Sequence, residues 1–206
     1  TYSFAAAEVV VPHILGSFRE HLDSCTSWES VSENCELFVA LGGTPLKNGQ
    51  IAQGGTGNHI QRNSLFKAHE SGVKFVNVSP LRSDIDDRID ADWISLRPST
   101  DTAFLLALAH TLIVENLVDL PFVNKYTVGF EEFSKYLMGS DDNTPKSARW
   151  AANICGISEN KIIDLARAMA TKKTMISVSW ALTRQDHGEQ PFWAAIVLAS
   201  LLGQIG

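Results

Sequence analysis

The chain has 206 residues, 45% of them hydrophobic and 19% charged, and a formal net charge of −6. That length suits one sizeable α/β domain, and the negative balance argues against a nucleic-acid surface, which usually presents a basic face. No apolar run reaches the roughly 18–20 residues of a membrane span, and Cys25, Cys35 and Cys155 are too scattered for a disulfide framework or a thiolate metal site.

Residues 5–24 carry a mixed helical pattern that ends at the polar break Asp23-Ser24-Cys25-Thr26-Ser27. Glu36 to Leu41 is a compact apolar run halted by Gly42-Gly43, the pattern of a buried strand. The stretch 43–60 is glycine-rich and irregular. Residues 60–72 predict a helix with Leu65, Phe66 and His69 on one face. Val73 to Val78 predicts a second strand, closed by Ser79-Pro80, and Trp93 to Leu96 a third, closed by Arg97-Pro98.

Helices then dominate. Residues 101–117 present Phe104, Leu105, Leu108, Leu112 and Val114 as a broad apolar surface, with Ser99 or Thr100 as N-cap and Asp101 in the first turn. Shorter helices are expected near 119–126, 130–138, 146–154 and 159–171. Residues 174–179 make a fourth strand, and Phe192 to Leu202 a final apolar helix. Strands separated by helices predict one α/β domain over 1–206, a parallel sheet with helices on both faces. The chain starts at Thr1 without a signal pattern and stops at Gly206 where a helix should be turning, so both ends are expected to be cuts in a longer polypeptide.

A parallel sheet would bring four post-strand segments to one edge, the edge where open α/β sheets bind ligands. These are Gly42 to Asn48, Ser79 to Arg82, Pro98 to Asp101 and Trp180 to Arg184. Each has two readings. Gly42-Gly43 permits close backbone approach, and Lys47 is either a phosphate partner or a solvated charge. Asp101 either complements a helix dipole or accepts two parallel N–H bonds from a guanine edge. Trp180 and Arg184, four apart, either stack indole on guanidinium or part, with Arg184 paired to Asp186 or Glu189. His187, lacking a visible partner, reads as a structural hydrogen-bonding residue.

Other constellations fail. The acidic run Asp84-Ile85-Asp86-Asp87-Arg88 lacks the glycine and terminal glutamate of a calcium loop and reads as a solvated loop. There is no GxGxxG, P-loop, HExxH or GxSxG. No self-contained nucleophile or acid–base pair emerges; the chain is built to hold something.

These segments resemble the molybdopterin S- and N-oxide reductases, the dimethyl sulfoxide reductase family. The likeness runs through Tyr2-Ser3 with Ala5-Ala6-Ala7-Glu8, Thr44-Pro45-Leu46-Lys47-Asn48, Ser99-Thr100-Asp101-Thr102-Ala103 and Leu108-Ala109-His110-Thr111-Leu112. It continues in Lys125 to Phe130, Trp180 to Gln190 and Ala199 to Gly206, with Trp180, Arg184 and His187-Gly188-Glu189-Gln190-Pro191 its most specific part.

The resemblance implies a Rossmann-like domain that holds bis(molybdopterin guanine dinucleotide) with molybdenum in an enzyme reducing an S-oxide or N-oxide. By position, Lys47 and Asn48 would contact the cofactor, and Val78 and Ser79 the guanosine. Ser99, Thr100 and Asp101 would form the guanine-binding turn, and Trp180, Ala181 and Arg184 would border the pterin and substrate funnel. Some relatives carry an acidic residue where this chain has Ser79. The family's serine metal ligand would lie upstream of Thr1 and the second dinucleotide's domain downstream of Gly206, so this piece alone is expected to be inactive. An electron-donor protein is a further implied partner. The substrate (dimethyl sulfoxide, trimethylamine N-oxide, biotin sulfoxide or methionine sulfoxide) and the compartment, periplasm or cytoplasm, stay open. So do a formate dehydrogenase or nitrate reductase relation and a non-catalytic guanine-nucleotide module.

Overall fold

The computed structural model describes residues 3–49 and 59–205. Tyr2 and Gly206, which bear on the resemblance, and part of the irregular stretch expected over 43–60 lie outside the described residues.

The chain opens with α1 (Ala5–Leu15), α2 (Phe18–Asp23) and α3 (Trp28–Asn34), then β1 (Leu37–Leu41), α4 (Gln61–Glu70), β2 (Lys74–Val78) and β3 (Asp92–Ile94). It continues as α5 (Asp101–Val114), α6 (Leu120–Tyr126), α7 (Phe130–Leu137), α8 (Ala148–Cys155) and α9 (Glu159–Thr171), and ends with β4 (Thr174–Val178) and α10 (Gln190–Leu201). All four expected strands form, each within one or two residues of its expected bounds. The single helix expected over 5–24 is two helices, because Gly16 takes φ 87° and Ser17 starts α2 by accepting from Glu20 N–H.

The strands pair in parallel in the order β3-β2-β1-β4. Period-two alternation sends their side chains to two cores. Leu37, Val39, Leu41, Val76 and Val78 pack under α5, α8, α9 and α10. Phe38, Ala40 and Phe75 pack under α3 and α4 with Val31, Leu65 and Ala68. Helices therefore cover both faces, as a parallel sheet requires.

Helix α5 is the central column of the larger core, with Phe104, Leu105, Leu108 and Leu112 all essentially inaccessible. A helix apolar all round belongs inside. Its far end is tied to α9 by a two-pronged Arg167–Glu115 pair, at 2.7 and 2.8 Å. Its near end points to the carboxyl edge of the sheet, directly after β3.

Candidate functional site

Parallel strands place every strand end on one edge. Because β1 and β4 are neighbours while β2 and β3 run off the other side, the crossover direction changes between β1 and β4, where doubly wound sheets open a crevice.

At the end of β1, Gly42 and Gly43 take φ 82° and 72°. A Cβ on Gly42 would lie 2.6 Å from the Ser179 Cβ, and one on Gly43 would lie 2.4 Å from the Asp84 carbonyl oxygen. The two glycines therefore let β1 accept the β4 end on one side and the 84 loop on the other. Next comes Thr44, buried, whose hydroxyl has no partner among the described residues. Lys47 and Asn48 follow in the single turn Leu46–Asn48, exposed, and Lys47 makes no ion pair with a described residue.

At the end of β2, Val78 is buried and Ser79 is only 1% exposed. The Ser79 hydroxyl donates to Asp84 Oδ2 and accepts from Leu81 N–H at 3.3 Å, and the Ser79 carbonyl accepts from Trp93 Nε1 at 2.9 Å. Every polar atom the sequence offered to a guanosine here is already engaged in organising the loop. Beyond it, Asp86 accepts from Arg88 Nε and Nη2, both at 2.7 Å, and Arg88 lies over the Phe66 ring.

The Arg88 bonds hold the Asp86 carboxyl down to about 2, from 3.8. Stability from this pair is present above the unfolded carboxyl value and is lost as pH falls towards 2. Arg88 is 58% exposed, so screening limits the effect. Urea titrations of the wild type and Asp86→Asn should differ by under about 1 kcal/mol at pH 7 and converge near pH 2.

At the end of β3 the chain turns through Ser99 at φ 63°. Thr100 occupies the N-cap position of α5 without capping it; its hydroxyl instead donates 2.7 Å back to Arg97 O. The capping expected of Ser99 or Thr100 is thus absent, because the left-handed turn points the side chain at the preceding carbonyl. Asp101 opens the helix, largely out of water, and burial raises its carboxyl pKa; only its own backbone N–H works the other way. Among the described residues no cation pairs with it. The Cys155 thiol bonds Thr100 O at 3.5 Å, and burial pushes that thiol up as well.

At the end of β4, Ser179 donates its N–H to Leu41 O at 2.8 Å and its side chain receives Ala181 N–H at 3.3 Å, starting the turn Trp180–Thr183. Trp180 and Arg184 part company. The indole stands edge-on to Phe4, centroids 4.3 Å apart, and to Phe18 at 6.2 Å. Arg184 is exposed and makes no described ion pair; His187, itself exposed, takes the neighbouring carboxylates Asp186 and Glu189 at 3.8 and 3.5 Å. Ala181 is exposed beside them.

Among the described residues the edge thus gathers a desolvated carboxylate with no cation paired to it, a buried hydroxyl with no partner, and the cations Lys47 and Arg184, which make no ion pair. Sequence reasoning missed Thr44 and Asp84. Asp84 was hidden within an acidic run dismissed as solvated, and the five-residue spacing from Ser79 was its only signal. A cleft of about 510 Å³ opens at the opposite, amino edge, between Cys35, Glu36, Lys173, Thr174 and Gln204. The carboxyl edge is the better candidate on topology, since open parallel sheets bind ligands at their strand ends. No cluster of three or more metal-ligating side chains, and no helix long and apolar enough to cross a membrane, occurs among the described residues.

The fold is an α/β domain with a four-stranded parallel sheet whose strand ends converge on one edge. The profile of the molybdopterin oxidoreductases matches residues 3–206, and the chain belongs to that family. It is 39% identical over its whole length to a dimethyl sulfoxide/trimethylamine N-oxide reductase of Cereibacter sphaeroides, covering 25% of that protein. It is 41% identical to a trimethylamine-N-oxide reductase of Pasteurella multocida, covering 25%, and 39% identical to a biotin sulfoxide reductase of Cereibacter sphaeroides, covering 28%, again over all of this chain. Among solved structures, acetylene hydratase from Pelobacter acetylenicus superposes with a TM-score of 0.68 at 24% identity, over 84% of this chain and 22% of that one. The chain spans about a quarter of the length of the reductases it matches.

The family's cofactor is molybdopterin with molybdenum. The donor set suits part of such a group: a desolvated acceptor at Asp101, the orphaned Thr44 hydroxyl, and free cations at Lys47 and Arg184 for anionic oxygens. Among the described residues no cluster would ligate the metal itself.

Proposed function

We propose that this chain holds the guanosine and diphosphate of one molybdopterin guanine dinucleotide, in an enzyme that reduces an S-oxide or N-oxide. The observation that carries the reading is Asp101, a carboxylate kept from water without a counter-charge at the end of β3. A half-buried acceptor of that kind costs free energy until a ligand supplies donors. Guanine offers two parallel ones, the ring N–H and the exocyclic amine.

Strand order supports the same reading. From β3 to β4 the edge presents Ser99, Thr100 and Asp101, then Val78 and Ser79, then Lys47 and Asn48, then Trp180, Ala181 and Arg184. That is the order of a guanine, a ribose, a diphosphate and a pterin lying across the sheet. Lys47 would meet the diphosphate as a point charge, and Arg184 would present its fork to anionic or oxide oxygens. Bis(molybdopterin guanine dinucleotide), when bound, supplies two-electron oxygen-atom transfer, with electrons and protons arriving through a donor protein. The chain's share is to position, to orient and to exclude water. Metal ligation and the second dinucleotide fall to other parts of the polypeptide, so this chain alone turns over no oxide.

The test is calorimetric titration of GDP and ADP into the intact polypeptide prepared free of cofactor. Preferential GDP binding that Asp101→Ala abolishes supports the assignment. Equal binding of the two nucleotides, or GDP binding indifferent to Asp101→Ala, refutes it.

A further inference from the structure

We propose that Asp84 supplies the carboxylate that takes the ribose hydroxyls of the bound nucleotide; this rests on the guanine-dinucleotide reading above. In doubly wound sheets an acidic residue near the end of the second strand commonly accepts from the ribose. Here that position is Ser79, which is 1% exposed and already donates to Asp84 and accepts from Leu81 N–H. A serine so engaged has no proton left to give and no surface to give it from.

The 80–84 loop returns an acid to the same place. Asp84 N–H bonds Leu81 O at 3.2 Å, and Asp84 O receives Thr44 N–H at 2.7 Å, so the backbone is stapled to β1 while the side chain reaches β2. Gly43 makes that approach possible, since a Cβ there would lie 2.6 Å from the Asp84 Cβ. Ser79 fixes one carboxylate oxygen, Oδ2. Among the described residues nothing bonds the other, and Asp84 is partly exposed. The orphaned Thr44 hydroxyl stands next to the staple.

The carboxylate is tied to the ends of β2 and β1, and in strand order the segment carrying Asp101 follows β3 on one side while that carrying Lys47 follows β1 on the other. A ribose linking a guanine at Asp101 to a diphosphate near Lys47 crosses this point. Its vicinal hydroxyls are donors, and an oriented carboxylate with a free oxygen is the matching acceptor.

The experiment titrates GDP and 2′,3′-dideoxy-GDP into the cofactor-free intact polypeptide, as wild type, Asp84→Asn and Ser79→Ala, with thermal unfolding of each preparation. Wild type should prefer GDP by about tenfold, the yield of a charge-assisted bond. Asp84→Asn, which keeps the shape and can still accept from Ser79, should lose that preference while binding dideoxy-GDP as before. Ser79→Ala, which frees Oδ2 without removing the charge, should retain most of it. A preference unchanged in Asp84→Asn overturns the proposal and leaves the guanine reading standing. Absence of any GDP binding by folded wild type overturns both.

Discussion

Replacing Asp101 with asparagine is expected to weaken GDP binding about 100-fold while making the protein more stable. The affinity loss follows from the chemistry of the contact. On the proposed assignment the carboxylate oxygens would accept both guanine donors, each charge-assisted bond being worth about 1.5–3 kcal/mol. Asparagine keeps one acceptor and turns an N–H against the second donor. The stability gain follows from burial. Asp101's carboxyl is raised above 3.8 because burial disfavours its charge, so the folded chain holds that proton more tightly than the unfolded one. Stability is therefore greatest while the acid is protonated and falls as pH rises through the carboxylate range. At neutral pH the substitution removes that penalty, and the melting temperature should rise by about 2–4 °C, as 1 kcal/mol does in a chain of this size. GDP affinity of the wild type should fall as pH drops through the raised pKa. A melting temperature lowered by Asp101→Asn would show the carboxylate to be a structural anchor instead.

Gly42→Ala is the second large effect, a loss of about 2–5 kcal/mol in stability. Part is backbone: alanine at φ 82° costs about 1–2 kcal/mol. The rest is contact, since the new Cβ would lie 2.6 Å from the Ser179 Cβ and 2.9 Å from Leu182 Cδ1, an overpacking worth about 1–3 kcal/mol. Ser179 cannot retreat without giving up its bond to Leu41 O. Gly16→Ala is the control, with φ 87° and nothing within 4 Å of its Cβ. Urea midpoints of the two variants separate the contributions. If Gly42→Ala costs no more than Gly16→Ala, the close approach of β1 and β4 carries no energetic weight.

The sheet was legible in the sequence because parallel strands buried on both faces are short apolar runs, and here each stops at Gly42, Pro80, Arg97-Pro98 or Trp180. Helix α3 escaped because Trp28–Asn34 buries only Val31 and otherwise reads as polar surface. The site was legible as positions and not as contacts. Sequence spacing put Ser79 at the end of β2, but a five-residue separation from Asp84 is too common to announce that the carboxylate would consume the hydroxyl. Spacing left Trp180 and Arg184 free to stack or to part; the turn that places Trp180 is 3₁₀ and leads the indole to Phe4 and Phe18. Pairs across such distances leave no local pattern.

That aromatic contact has a consequence for the order of assembly. The Thr183 hydroxyl donates to Ser3 O, a bond between residues 180 apart, and β4 reaches its place on β1 across a similarly long span. Closing loops of that length must precede any reward from the contacts they bring. The helical stretch from α5 to α9, made of near neighbours, needs no such closure. The wall carrying Trp180 and Arg184 is therefore expected to form after that helical stretch, which pulse-labelling hydrogen exchange during refolding would show as later protection of β4 than of α5.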